Sequence, residues 1–161
     1  MTNKIIVGTR DSKLALTQAN KVITKLNSIY PDLEFKTLKV KTKGDILENH
    51  PIESFIGKGF FVKEIQEMLL AKKIDIAVHS LKDLPVDPIP RLELSAILER
   101  DDPRDALILS SKFKSKVDLN NLTICTSSNR RKSQLLRIYP NVIIKSIRGN
   151  VDTRLKKMED G

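Results

Sequence analysis

Tryptophan is absent from the 161 residues, and only five Phe and two Tyr are present. Leu, Ile and Val must therefore fill any core, and a protein that stacks nucleic-acid bases on exposed rings would have little to work with. The single cysteine, Cys125, excludes an internal disulfide. With His50 and His79 as the only imidazoles, a structural zinc site of Cys and His ligands cannot be assembled. Cys125 lies in an apolar run and is expected to be buried and inert. No run approaches the roughly 20 apolar residues that span a bilayer. The opening "MTNKIIVGTR" has one early Lys and three consecutive apolar residues before Gly8, which does not match a secretory leader. Internal repeats and low-complexity segments are also missing. These absences predict a soluble cytoplasmic protein without metal or disulfide support.

What is present is a 40 % hydrophobic fraction, enough for a core, in a length that suits one ordinary domain or two small ones. The formal net charge is +9, which fits nucleic acid, an acidic membrane surface, a small polyanion or a merely solvated basic surface. Distribution separates these. Nine Lys/Arg fall between Arg130 and Lys157 against one acid, Asp152. Several stand beside Ser, Thr, Gly and Asn rather than in a lysine tail, a pattern that favours anion contacts placed at particular loops.

Periodicity predicts strands at 4–9 (KIIVGT), 34–42, 74–80 (IDIAVHS), 92–99 (LELSAILE), 106–110, 122–127 and 141–147. Helices are expected from Ser12 to about Ile29, over 60–73, from Ser127 or Ser128 to about Ile138, and from Asn150 to Gly161. Gly44, Pro51 and Gly57 mark 43–57 as a loop. The charged "RDDPRD" at 100–105 reads as a hinge between a first domain, 1–99, and a second piece, 106–161. Alternating strands and helices predict parallel α/β architecture, in which ligands bind beyond the carboxyl ends of strands.

Those strand ends carry one kind of chemistry. Thr9, Arg10 and Ser12 follow the first strand; Ser80, Lys82 and Asp83 follow the third. Thr126, Ser127, Ser128, Arg130 and Arg131 follow "LTIC". Arg148, Gly149 and Asn150 follow "VIIKSI", with Arg154 one helical turn on. Free N–H groups at helix starts favour anions, and Arg pairs a carboxylate through a planar fork. Taken singly, Ser12 reads as a cap, Arg130 or Arg131 as a solvated side chain, and Lys82–Asp83 as a turn with a local ion pair. Four agreeing strand ends point instead to a ligand with several carboxylates, held in a cleft between two halves. "IGKGFF" (56–61) lacks the GxxxxGK[ST] spacing of a phosphate loop. Phe60 and Phe61 read as core or cleft wall, and His79 as a packed strand histidine rather than a base.

"GTRDSKLALTQA", "KGFFVKEIQEMLL", "DIAVHSLKDLP", "ERDDPRDAL", "TSSNRRKSQL" and "IRGNVDTRL" resemble, in order and spacing, the hydroxymethylbilane synthase (porphobilinogen deaminase) family. The resemblance covers essentially the whole chain. It implies a transferase that joins four porphobilinogen units head to tail with loss of ammonia, giving hydroxymethylbilane for porphyrin and haem synthesis. It implies a two-domain fold like the type II periplasmic binding proteins, followed by a small third domain. Asp83 matches the family's catalytic aspartate. Arg10, Lys82, Arg130, Arg131, Arg148 and Arg154 match positions that bind cofactor or substrate carboxylates. Ser12, Ser80, Thr126, Ser127 and Ser128 match supporting donors, and Lys58 and Phe61 match a loop over the active site.

The resemblance also implies a dipyrromethane primer held on a third-domain cysteine. That cysteine is not in these residues, and its role does not transfer to Cys125. The expectation is therefore a fragment with an incomplete second domain and no third, inactive alone and monomeric. Its partners would be porphobilinogen and the growing polypyrrole, with no nucleic acid and no membrane. The rival readings are a non-catalytic α/β cleft protein for a polycarboxylate, and a nucleic-acid binder using the basic 130–157 region. The second would lose affinity steeply with salt.

Overall fold

The computed structural model describes residues 3–42, 62–87, 89–113 and 118–161. They fall into two compact units, Met1–Asp101 and Asp102–Gly161.

In the first unit, β1 (Lys4–Arg10) is the centre of a three-stranded sheet, with β2 (Glu34–Val40) on one side and β3 (Ile76–Ala77) on the other. Both pairings are parallel; Lys4 lies opposite Glu34, and Val7 opposite Ile76. The sheet is covered on both faces because β1 alternates. Thr9 donates its hydroxyl to the Ala15 carbonyl of helix α1 (Lys13–Ile29) at 3.2 Å, so Val7, two residues earlier, shares the α1 face. Ile6 points the other way, against the cluster of Val40, Ile65 and Ile74. Ile65 comes from helix α2 (Lys63–Leu70). Val7, Ala19, Val62 and Ile65 are fully buried, and this small aliphatic core does the work that aromatics do elsewhere.

The helix predicted from Ser12 forms as expected. Ser12 Oγ accepts from Ala15 N–H at 3.3 Å, and Leu16, Ala19, Val22, Ile23 and Leu26 line its inner face. Gly8 leaves room for the Ile74 side chain to pack against β1. A Cβ there would lie 2.4 Å from Ile74 Cδ1, and Ile74 is itself buried.

In the second unit, β4 (Thr123–Cys125) pairs in parallel with β5 (Ile143–Lys145). Helix α3 (Asn129–Ile138) follows β4, and α4 (Val151–Asp160) follows β5. Ser128 and Asn150 cap the two helices, accepting from Arg131 N–H at 3.4 Å and Thr153 N–H at 3.0 Å. Apolar burial is thin: neither helix has a fully buried residue. Polar clamps also link the unit's segments. Ser127 Oγ donates to the Ile147 carbonyl at 2.6 Å and accepts from Ile147 N–H at 3.1 Å. Glu159 accepts from the Ser110 hydroxyl and from both the N–H and hydroxyl of Ser111, at 2.8–3.0 Å.

Three expectations need correction. Segments 92–99 and 106–110 are not strands. Residues 93–109 make no backbone–backbone hydrogen bond to another described residue, and Leu94, Ile97, Leu107 and Ile108 are exposed. Apolar, β-prone sequence forms a strand only beside a ladder partner, and no described strand supplies one. The third strand is shorter than expected, with two paired residues in place of 74–80. Cys125 is exposed rather than buried. It sits in a two-stranded sheet in which only the alternate residue, Ile124, turns inward.

Candidate functional site

In the first unit the sequence-predicted residues gather at the carboxyl ends of β1 and β3. Parallel pairing puts these ends side by side. Val78 N–H continues the ladder to the Gly8 carbonyl at 3.0 Å. Chain then leaves β3 through Val78 and His79 into a single 3-10 turn, Leu81–Asp83, closed by Asp83 N–H to the Ser80 carbonyl at 2.9 Å. That turn lifts Asp83, half-buried, past the strand end, with Lys82 exposed beside it. Ser80 Oγ donates to Gln18 Oε1 of α1 at 3.0 Å, tying the turn to the helix that follows β1.

His79 reports which charges meet here. Burial lowers its pKa, the nearby Asp83 carboxylate raises it, and the Arg10 guanidinium lowers it again. Arg10, His79 and Asp83 therefore share one electrostatic neighbourhood. His79 Nε2 is buried without a hydrogen-bond partner among the described residues. A neutral, enclosed imidazole agrees with a packed histidine rather than a solvent-facing base.

In the second unit the residues after β4 and β5 are linked to one another. Thr126 N–H bonds the Lys145 carbonyl at 2.8 Å, and Thr126 Oγ1 accepts from Ser128 N–H at 3.2 Å. Ser127 Oγ lies 2.8 Å from Ser146 Oγ. Arg130 and Arg131, in the first turn of α3, converge on one carboxylate. Arg130 Nη2 lies 3.0 and 2.9 Å from the two oxygens of Asp105. Arg131 Nε donates to Asp105 Oδ1 at 2.9 Å, and its Nη2 lies 2.9 Å from the same oxygen. The Arg130 hydrogen bond, followed by Arg131, holds Asp105 below the usual carboxylate range.

Arg154 turns back on its own loop, donating through Nε to the Gly149 carbonyl at 2.6 Å, while Lys157 reaches the Arg148 carbonyl at 3.2 Å. Arg148 is half-buried just ahead of this loop. The loop turns at Gly149, where φ is +111°, a backbone setting that side chains rarely tolerate.

Ser12 and Ser128 thus act as helix caps, whatever else they touch. Lys58 and Phe61 lie outside the described residues. The predicted positions form two groups, one per unit: Arg10, Ser12, Ser80, Lys82 and Asp83, and Thr126–Ser128 with Arg130, Arg131, Arg148 and Arg154. Sequence reasoning missed Asp105 and Gln18. Asp105 had been absorbed into the hinge, and nothing local signals a partner 25 residues away. An open recess of about 280 Å³, lined by residues that include Leu69, Lys72, Asp75 and Arg91, contains none of these residues. Among the described residues, no cluster of His, Cys, Asp or Glu could hold a metal ion.

The fold and the placement of these groups define the class: a parallel α/β protein with its polar and charged side chains gathered at strand carboxyl ends. Residues 5–161 match the family described as "Porphobilinogen deaminase, dipyromethane cofactor binding domain". The chain belongs to the porphobilinogen deaminase family. It is 44 % identical over 161 residues to the porphobilinogen deaminase of Rickettsia prowazekii (strain Madrid E), covering all of this chain and 54 % of that protein. It is 47 % identical over 158 residues to that of Acetivibrio thermocellus, covering 98 % and 53 %. For the Clostridioides difficile (strain 630) protein the identity is 46 % over 157 residues, covering 97 % and 52 %. The chain spans about half the length of these curated relatives.

Proposed function

We propose that this chain is the part of a hydroxymethylbilane synthase that binds the dipyrromethane cofactor and porphobilinogen and carries the catalytic carboxylate. The observation that carries the reading is the family match over residues 5–161. The strand-end chemistry supports it. Each pyrrole unit bears an acetate and a propionate, so a chain of them is a polyanion. Arg130 and Arg131 stand at the N-terminus of a 10-residue helix, where guanidinium forks and the helix dipole both favour carboxylates. The N–H groups of Asn129 and Arg130 have no partner among the described residues, which adds two donors. This donor set fits the carboxylates of a dipyrromethane.

The work divides between the two groups. Arg130, Arg131, Arg148 and Arg154, with Thr126, Ser127 and Ser128, hold carboxylates and set the register of the bound chain. Arg10, Lys82, Ser12 and Ser80 do the same beside Asp83. The bound dipyrromethane supplies the electron-rich pyrrole carbon that is extended. Loss of ammonia from porphobilinogen leaves an electron-poor methylene-pyrrole cation. The Asp83 carboxylate hydrogen-bonds pyrrole N–H groups, stabilises that cation and assists proton transfer. The architecture is the two-domain type II periplasmic-binding-protein arrangement, with 1–99 as first domain, 100–105 as hinge and 106–161 as part of the second. The protein acts as a cytoplasmic monomer. Among the described residues no helix is long and apolar enough to cross a membrane.

The test is Asp83→Asn in a chain of the relatives' full length, scored as porphyrin absorbance after oxidation. Turnover should fall by about 10²–10⁴, the usual contribution of a positioned acid–base group, with porphobilinogen binding retained. Unchanged turnover would remove Asp83 from the chemistry and favour a binding-only cleft.

A further inference from the structure

Near the start of the second unit, Asp105 supplies a carboxylate to the first turn of α3. We infer that Asp105 is a positioning residue: it locks Arg130 and Arg131 into one clamp whose remaining donors receive a ligand carboxylate. The inference deepens the function proposed above and rests on it.

Three features of the geometry carry it. First, the two arginines are adjacent on one helical turn, where like charges repel; one carboxylate touching both at 2.9–3.0 Å offsets that repulsion and fixes their spacing. Second, Arg130 is braced from two sides. Its Nη2 meets Asp105, and its Nη1 donates to Gln134 Oε1 at 3.2 Å. A guanidinium held at both ends no longer has to be ordered when a ligand arrives. Third, Asp105 engages Arg131 through Nε and Nη2. The Nη1 side of that fork and the Nε of Arg130 keep donors that Asp105 does not use, and the triad retains a net charge of about +1 by formal charges.

The opposite role is a plug, in which Asp105 occupies the place of the ligand carboxylate and must be displaced. Asp105 engages Nε and Nη2 of Arg131 and Nη2 of Arg130, so Nη1 of Arg131 and Nε of Arg130 stay available without its displacement. Removing it would raise the local positive charge, but at 0.15 M salt the Debye length of about 8 Å limits what that gains at an exposed site. Loss of alignment should dominate. The low pKa of Asp105 keeps the strut charged throughout the neutral range.

The test uses the 161-residue chain with two readouts. In ¹⁵N–¹H spectra the Arg131 Nε–H should be resolved and slow to exchange in the wild type, merge with the solvated arginines in Asp105→Asn, and return in part in Asp105→Glu. Porphobilinogen affinity by calorimetry at 0.15 M salt should fall about two- to fivefold in Asp105→Asn and less in Asp105→Glu, the range expected for one exposed ion pair. Far-UV circular dichroism confirms that the variants are folded. Asp105→Asn binding as tightly as the wild type, or more tightly, would overturn the inference; tighter binding would identify a plug. If the wild type binds no porphobilinogen, the function proposed above fails for this chain. The Arg131 resonance then decides alone, and an Nε–H unchanged in Asp105→Asn overturns the positioning role.

Discussion

Gly149→Ala should unfold the second unit with little effect on the first. Gly149 sits at φ +111°, a region open essentially to glycine, and placing a side chain there costs about 1–3 kcal/mol. Space is also lacking: the new Cβ would lie 2.6 Å from Thr153 Cγ2 and 2.8 Å from Thr153 Cβ. Thr153 cannot simply turn aside. Its hydroxyl donates to Oδ1 of the capping Asn150 at 2.9 Å, so its rotation would break that bond and leave only the Thr153 N–H on the cap, at 3.0 Å. Overpacking of this kind adds about 1–3 kcal/mol, giving a total of about 2–6 kcal/mol. The chain has two tyrosines and no tryptophan, with Tyr30 in the first unit and Tyr139 in the second. In a Tyr30→Phe background, urea unfolding followed by Tyr139 fluorescence reports the second unit alone. Adding Thr153→Ser should relieve only the Cγ2 contact and recover a minority of the loss. A midpoint shift equivalent to less than about 0.5 kcal/mol, the noise of an ordinary surface change, would refute the backbone argument.

Further outcomes follow from the two cores. Ile65→Ala empties the centre of the Val40–Ile65–Ile74 cluster and should cost the first unit about 2–5 kcal/mol, against about 0.5–1.5 for Ile65→Val; Tyr30 fluorescence in a Tyr139→Phe background reads it. His79 has a folded pKa below its ordinary value because of burial. The unfolded state therefore binds the extra proton first, and first-unit stability should be full above about pH 6.5 and decline as pH falls below it; His79→Gln should flatten that slope. Asp102, Asp105 and Glu159 are all held below the carboxylate range, by Arg104, by Arg130, and by the Ser111 backbone respectively. Their contribution is present above about pH 4 and lost as pH falls through the lower folded values, so second-unit stability should decline modestly as pH falls below about 4.

Much of the site was legible because its signals are local. Ser12, Ser128 and Asn150 each stand one residue before a helix and do cap it. The strand–turn order around "IAVHSLKD" places Asp83 beyond β3, since in a parallel sheet the strand's carboxyl end is fixed by chain direction. What failed depends on partners that local sequence does not name. "LELSAILE" and "ALILS" have the composition of strands, but composition cannot supply a neighbouring ladder. Cys125 was misjudged because burial of a strand depends on how many layers cover it, and a two-stranded sheet leaves alternate residues in solvent. Asp105 was missed for the same reason, as its meaning comes from arginines 25 and 26 residues away.

The central claim is that the strand ends bind a carboxylated pyrrole. Its most direct test is a titration of the ¹⁵N-labelled 161-residue chain with porphobilinogen, followed residue by residue. The account predicts shifts concentrated at Arg10, Ser80–Asp83, Thr126–Arg131 and Arg148–Asn150, reduced by Arg131→Ala and weakened by salt. No shifts at millimolar porphobilinogen would contradict it, as would shifts confined to the recess at Leu69, Lys72 and Arg91.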